Sequence, residues 1–132
     1  MSQTPAEFVN AMPATQHFGM EITDASDGAA TGRLPFREAL CFARDDRPVM
    51  HGAATFALAD NVGAAAVISL LDEPRPAVTI DIRIDYLGPA ATALVATADV
   101  RRFGRSVSVA DIDVEDDSGD PVAIARGAYR SG

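Results

Sequence analysis

One stretch of the chain dictates most of what it can become. From His51 to Leu71 the sequence carries seven alanines together with Phe56, Leu58, Val62, Val67, Ile68, Leu70 and Leu71, and its only carboxylate is Asp60. A helix over 51–71 made of these residues has no broad polar face, so other elements must cover it on most sides. Gly63 to Ala66 are all small and admit a close neighbour to the helix backbone. Asp72 to Pro76, with two prolines, ends the helix. The period then changes from helical to two. Val78, Ile80, Ile82, Ile84 and Tyr86 alternate with Thr79, Asp81, Arg83 and Asp85, the pattern of a strand with one apolar and one polar face.

The remaining elements fall around this pair. Thr4 to Met12 reads as a short helix, with Thr4 as N-cap, Pro5 at the first helical position and Glu7 completing a capping box. Phe18 to Thr23 and Ala29 to Pro35 read as two strands around an Asp27-Gly28 turn. Residues 36–49 show no clear period and read as a loop. Leu94 to Arg102, Val107 to Glu115 and Val122 to Tyr129 read as three further strands, with turns at Gly104 and at Asp116 to Asp120. Two strands, a long helix and four strands define an α+β layer arrangement rather than a βαβ alternation. With 132 residues, the chain fits a single domain over 1–132.

Charge and cysteine content narrow the function classes. A formal net charge of -8 argues against nucleic acid, whose binders need a basic face, and against anionic membrane surfaces. Cys41 is the only cysteine, so neither a disulfide framework nor a cysteine-based zinc site forms within one chain. It reads as a packing residue. Met1 to Asn10 lacks the basic start and apolar run of a secretory signal, and the expected compartment is the cytosol.

Two features of the long helix bear on chemistry. At its start, His51-Gly52 presents backbone N–H groups that have no partner inside the helix and lie at the positive end of its dipole. Without a side chain, Gly52 leaves its N–H open to a carbonyl oxygen; equally, it is an ordinary permissive glycine at a helix start. Asp60 is costly to desolvate in so apolar a helix. It is either offset by solvent, Asn61 or a backbone donor, or it is a carboxylate that activates water or attacks an electrophile. Eight residues separate Gly52 and Asp60, about 12 Å along a helix axis, so one helix cannot easily bring both to a single carbonyl. Two antiparallel helices from two chains can, and if both groups act, a homodimer with two equivalent composite sites follows.

The residues from His51 to Asp60, HGAATFALAD, resemble the HGGxxxxLAD segment of the hotdog-fold thioesterases of the phenylacetate-degradation (PaaI) type. Val78 to Ala90, VTIDIRIDYLGPA, resembles the strand that follows in that family, and Arg101 to Ser106, RRFGRS, its next hairpin. The resemblance covers roughly residues 17 to 130. It implies a hotdog fold, an antiparallel sheet wrapped around the long helix, pairing into dimers and often into tetramers as dimers of dimers. It also implies hydrolysis of an acyl-CoA thioester, aryl or medium-chain, with a carboxylate at Asp60 as general base or nucleophile. The Gly52 N–H polarises the thioester carbonyl across the subunit interface, and His51 orients or assists. No metal and no cofactor are implied, since CoA enters as part of the substrate.

The sequence departs from the family pattern at four places. Ala53 replaces the second glycine, Asp45 stands where many members have Asn or Gln, Ala64 stands where some have Thr or Ser, and Gly88 replaces an Arg. Ala53, Asp45, Asn61 and Ala64 are therefore expected around the substrate. An acidic protein needs a local basic patch for the CoA phosphates, and Arg101, Arg102 and Arg105, with Ser106 beside them, supply one; a solvated turn is the alternative. The departures also motivate a second function class, a non-catalytic acyl-CoA-binding or regulatory module on the same fold. A hotdog hydratase ranks third, because His17 and His51 are the only histidines and neither lies in the expected hydratase motif.

Overall fold

The computed structural model describes residues 3–132. Met1 and Ser2, part of the single domain expected over 1–132 and of the stretch read as lacking a secretory signal, lie outside the described residues.

Helix α1 (Pro5–Asn10) starts as its sequence demands. The Thr4 hydroxyl accepts from the Glu7 N–H, and the Glu7 carboxylate accepts from the Thr4 N–H. It does not reach Met12. Pro13, at the first position of a new helix, starts α2 (Pro13–Phe18), and Gly19 ends it at φ 78°. The strand expected from Phe18 consequently begins later, as β1 (Glu21–Ser26). It turns into β2 (Ala29–Leu34) through Asp27 and Gly28, both at positive φ (53° and 83°), as a two-residue hairpin turn requires. The loop that follows holds a 3-10 turn at Glu38–Leu40 and a bridge between Cys41 and Met50.

Helix α3 runs from Gly52 to Ile68, with His51 as N-cap and Ser69 as C-cap, and so stops short of Leu71. Its end is fixed by side-chain bonding. The Ser69 hydroxyl donates to the Ala66 carbonyl and accepts from the Gly28 N–H of the β1–β2 turn. Strands β3 (Thr79–Tyr86), β4 (Leu94–Arg102), β5 (Val107–Asp116) and β6 (Pro121–Arg130) complete a six-stranded sheet in the order β1-β2-β4-β5-β6-β3. All its neighbours are antiparallel. The sheet curls around α3, which touches all six strands.

The charge-poor helix is covered as expected. Leu58, Ala59, Val62, Ala65, Ala66 and Val67 are fully buried against Leu34, Leu94, Ile112, Val114 and Tyr129. Each fully buried Leu, Ile or Val stabilises the fold by about 1.5–3 kcal/mol relative to exposure. The small run on α3 is used by Tyr129, whose hydroxyl a Cβ at Gly63 would strike. No described helix is long and apolar enough to cross a membrane.

Strand β3 departs from simple alternation. Its pairing with β6 runs Thr79↔Tyr129, then Asp81↔Ala128, so Ile80 is an extra residue in a bulge. A one-residue slip reverses which side chains face the core. Ile82 and Ile84 turn toward the helix as the apolar pattern requires, but Ile80 and Val78 lie exposed and Thr79 takes the inward place. The single apolar face expected from Val78 to Tyr86 is therefore split. Because β3 is also a sheet edge, Val78, Ile80, Tyr86 and Leu87 are left more than half exposed.

Candidate active site

Asp60 lies on the one strip of α3 that the sheet leaves partly open, a strip that includes Ala53, Ala57, Asn61 and Ala64. Its Oδ1 accepts a 2.5 Å hydrogen bond from the Thr79 hydroxyl. The β3 bulge is what aims that hydroxyl inward. The Asp60 backbone carbonyl accepts from the Tyr129 hydroxyl at 3.2 Å. Burial, and secondarily the Asp60 charge, hold the Tyr129 phenol far above the usual tyrosine range, so it stays a neutral donor. The cost of a carboxylate in an apolar helix is thus offset by a threonine from a distant strand. Asn61 takes no part in this, because its amide donates instead to the Thr15 hydroxyl of α2 at 3.1 Å. Asp60 keeps Oδ2 without a hydrogen-bond partner among the described residues, which leaves it able to accept a proton or attack a carbon.

The start of α3 is equally well defined. The His51 Nδ1 accepts from the Ala53 N–H at 2.9 Å, so the imidazole caps the helix, and the His51 N–H donates to the Leu40 carbonyl at 2.7 Å. The Gly52 N–H finds no acceptor among the described residues. The Tyr86 hydroxyl donates to the Gly52 carbonyl at 2.8 Å. A Cβ on Gly52 would lie 3.2 Å from the Tyr86 ring, a tight contact that a shift of the half-exposed ring would relieve. Partial burial raises the Tyr86 phenol above its ordinary value.

The structure brings some expected residues together and separates others. His51, Gly52 and Ala53 form the start of α3, Asp60 and Asn61 lie about two turns further on, and Ala64 about three. Asp45 is turned into its own loop, where its carboxylate accepts from the Arg47 N–H at 2.9 Å, and no hydrogen bond joins it to Asp60. Arg101 leans across the outer sheet face to Asp111 (3.7 Å), a carboxylate that Arg126 also grips through two nitrogens. This side-chain hydrogen bond with Arg126 depresses the Asp111 carboxyl. Arg102, Arg105 and Ser106 remain exposed at the β4–β5 hairpin.

A cavity of about 350 Å³ lies on the outer face of the sheet among Arg83, Asp111 and Arg126. Smaller ones, about 260 and 180 Å³, flank Ser106 and Arg130 and flank Phe103 and Arg105. None of the three touches Asp60 or Gly52. Sequence reasoning missed Thr79, Tyr86 and Tyr129 as parts of this region. Only Tyr86 carried a signal, a polar tip at the end of an otherwise aliphatic alternation.

The fold and this helix define a thioester-hydrolysing class of hotdog proteins. A profile for the thioesterase superfamily matches residues 48–123, which span α3, β3, β4 and β5, and the chain belongs to that superfamily. A protein of Halobacterium salinarum that carries an esterase name is 38% identical over 120 residues, covering 85% of this chain and 80% of its own. The solved structure of the E. coli PaaI protein, from the phenylacetic acid degradation operon, is 28% identical with a TM-score of 0.80, covering 93% of this chain and 87% of that one. A thioesterase protein of Streptococcus pneumoniae, solved with coenzyme A, is 25% identical with a TM-score of 0.72, covering 85% and 84%.

Proposed function

We propose that the protein hydrolyses an aryl- or medium-chain acyl-CoA thioester in a homodimer, with Asp60 of one subunit and the Gly52 N–H of the other acting on the same carbonyl. Asp60 deprotonates a water, or its carboxylate attacks the carbonyl directly. The Gly52 N–H donates to the oxyanion of the tetrahedral species, which collapses and expels the CoA thiolate. His51 shapes the helix start that presents this N–H.

One observation carries the composite site. Edge strand β3 holds both halves: Thr79, at its start, bonds Asp60, and Tyr86, at its end, bonds Gly52. In one chain these anchors are seven residues apart, about 23 Å of extended strand. A two-fold axis at Arg83 pairs Asp81 of one strand with Asp85 of the other and, with Ile80 as the extra residue, sets Thr79 opposite Tyr86, which brings Asp60 toward Gly52 of the partner subunit. The unpaired backbone edge of β3 and the exposed Val78, Ile80 and Leu87 suit such pairing. A dimer of dimers would require a further contact surface.

Arg102, Arg105 and Ser106 take the CoA phosphates in this reading, with Arg130 across the cavity it shares with Ser106. Arg101 contributes less, being drawn to Asp111. The coenzyme A complex of the S. pneumoniae protein supports the substrate class. Ala53 and Ala64 border the thioester, and their small side chains leave room for the acyl group.

The test is thiol release from a panel of aryl- and fatty-acyl-CoAs by the wild type and Asp60→Asn. Turnover that falls about 100-fold or more in the variant is expected, the scale of a lost acid–base group. Equal turnover by both proteins would remove Asp60 from the chemistry. Tight acyl-CoA binding without turnover at any chain length would make the protein a binding module.

A further inference from the structure

We propose that Tyr86 is a positioning residue for the oxyanion donor: its phenol fixes the peptide on the far side of Gly52 and so sets the direction of the Gly52 N–H. This rests on Gly52 serving as the donor.

Glycine is the residue least able to hold its own backbone angles. A donor at a helix start stabilises an oxyanion only if it is aimed before the charge develops. The structure restrains Gly52 from both sides. Its preceding peptide is held by the His51 carbonyl, which accepts from the Ala54 N–H at 2.9 Å. Its following peptide is held at both ends. The Ala53 N–H donates to the His51 Nδ1 at 2.9 Å, and the Gly52 carbonyl accepts from the Tyr86 hydroxyl at 2.8 Å.

The hydroxyl is the only one of these partners that comes from outside the helix start. It is delivered by β3, the strand whose other end grips Asp60. The ring lies close against Gly52, 3.2 Å from where a Cβ would stand. The β3 bulge makes the arrangement possible. Thr79 and Tyr86 are an odd number of residues apart and would face opposite sides of a regular strand; with one extra residue between them, both face α3.

Tyr86→Phe keeps the ring and removes only the hydroxyl. The wild type, Tyr86→Phe and Asp60→Asn are compared for kcat, KM and Tm, and amide exchange at Ala53 is followed by NMR in the wild type and Tyr86→Phe. The expected result for Tyr86→Phe is a fall of about 5-fold in kcat, the size of one neutral hydrogen bond. KM and Tm stay near wild type, and the Ala53 amide exchanges several-fold faster. A kcat equal to wild type, with Asp60→Asn inactive, overturns the positioning role and leaves the thioesterase reading intact. A kcat loss matched by a lower Tm, or an unchanged Ala53 exchange rate, also overturns it. A wild type with no turnover overturns the thioesterase reading and this role with it.

Discussion

The Thr79 hydroxyl donates to the Asp60 carboxylate across 2.5 Å, and it does so because Ile80 is one residue too many in the pairing of β3 with β6. The bond fixes one carboxylate oxygen and leaves the other to act. It also replaces part of the hydration that Asp60 loses in an apolar helix.

Thr79→Val is close to isosteric and removes this donor. A hydrogen bond to a charged group contributes about 1.5–3 kcal/mol. Loss of its orienting effect is expected to lower kcat about 10-fold or more in the thiol-release assay. Thr79→Ser, which keeps the hydroxyl, should retain most of the rate. Equal rates for Thr79→Val and the wild type would show that Asp60 is oriented without this bond.

The composite site has its own test in mixed dimers. Gly52 is the first residue of α3, its N–H bonds to no described residue, and His51 before it already has the extended angles (φ -59°, ψ 143°) that a following proline demands. Gly52→Pro should therefore fold, with the half-exposed Tyr86 ring shifting to admit the proline Cβ, lose the N–H, and drop kcat about 100- to 1,000-fold. Asp60→Asn should be inactive for a separate reason, the loss of the carboxylate. When equal amounts of the two variants are unfolded and refolded together, half of the dimers pair one of each. Each such dimer has one intact site, giving about a quarter of wild-type activity. No recovery, with mixed dimers shown to form, would place both groups of a site in one chain.

The sequence announced the layer order clearly, because the alanine-rich helix and the alternating strands differ in both period and charge. It was poorer at the N-terminus. Pro13 and Gly19 bracket a six-residue helix with no apolar stripe long enough to register as one. Asp60 stood out as a lone carboxylate in an apolar run, and Gly52 through its place at the helix start. Thr79 was hidden, since its alternation put it on the polar face; a bulge changes facing without changing sequence pattern. Tyr129 was hidden for another reason. Its polar tip reaches α3 only through the gap left by Gly63, a contact between residues far apart in the chain. The loop from Phe36 to Val49 was legible only as a loop, and Asp45 turned out to serve its own backbone.

Tyr129 gives the fold a predictable alkaline limit. Its phenol is fully buried and donates to the Asp60 carbonyl, and burial raises its pKa in the folded state. In the unfolded chain it titrates near an ordinary tyrosine value of about 10. Below that pH both states are protonated, and the stability the buried neutral phenol contributes is fully present. Above it the unfolded state loses the proton while the folded state keeps it. Stability is therefore expected to fall as pH rises past about 10, by up to about 1.4 kcal/mol per pH unit from this group. Tyr129→Phe cannot ionise and should flatten that slope, although its stability at neutral pH should be lower by about 1 kcal/mol for the lost hydrogen bond. Denaturant unfolding from pH 8 to 11.5 measures both effects, with Tyr86→Phe as the control for a half-exposed phenol. A Tyr129→Phe curve parallel to the wild type across that range would mean that the buried phenol is not what limits the folded state in alkali.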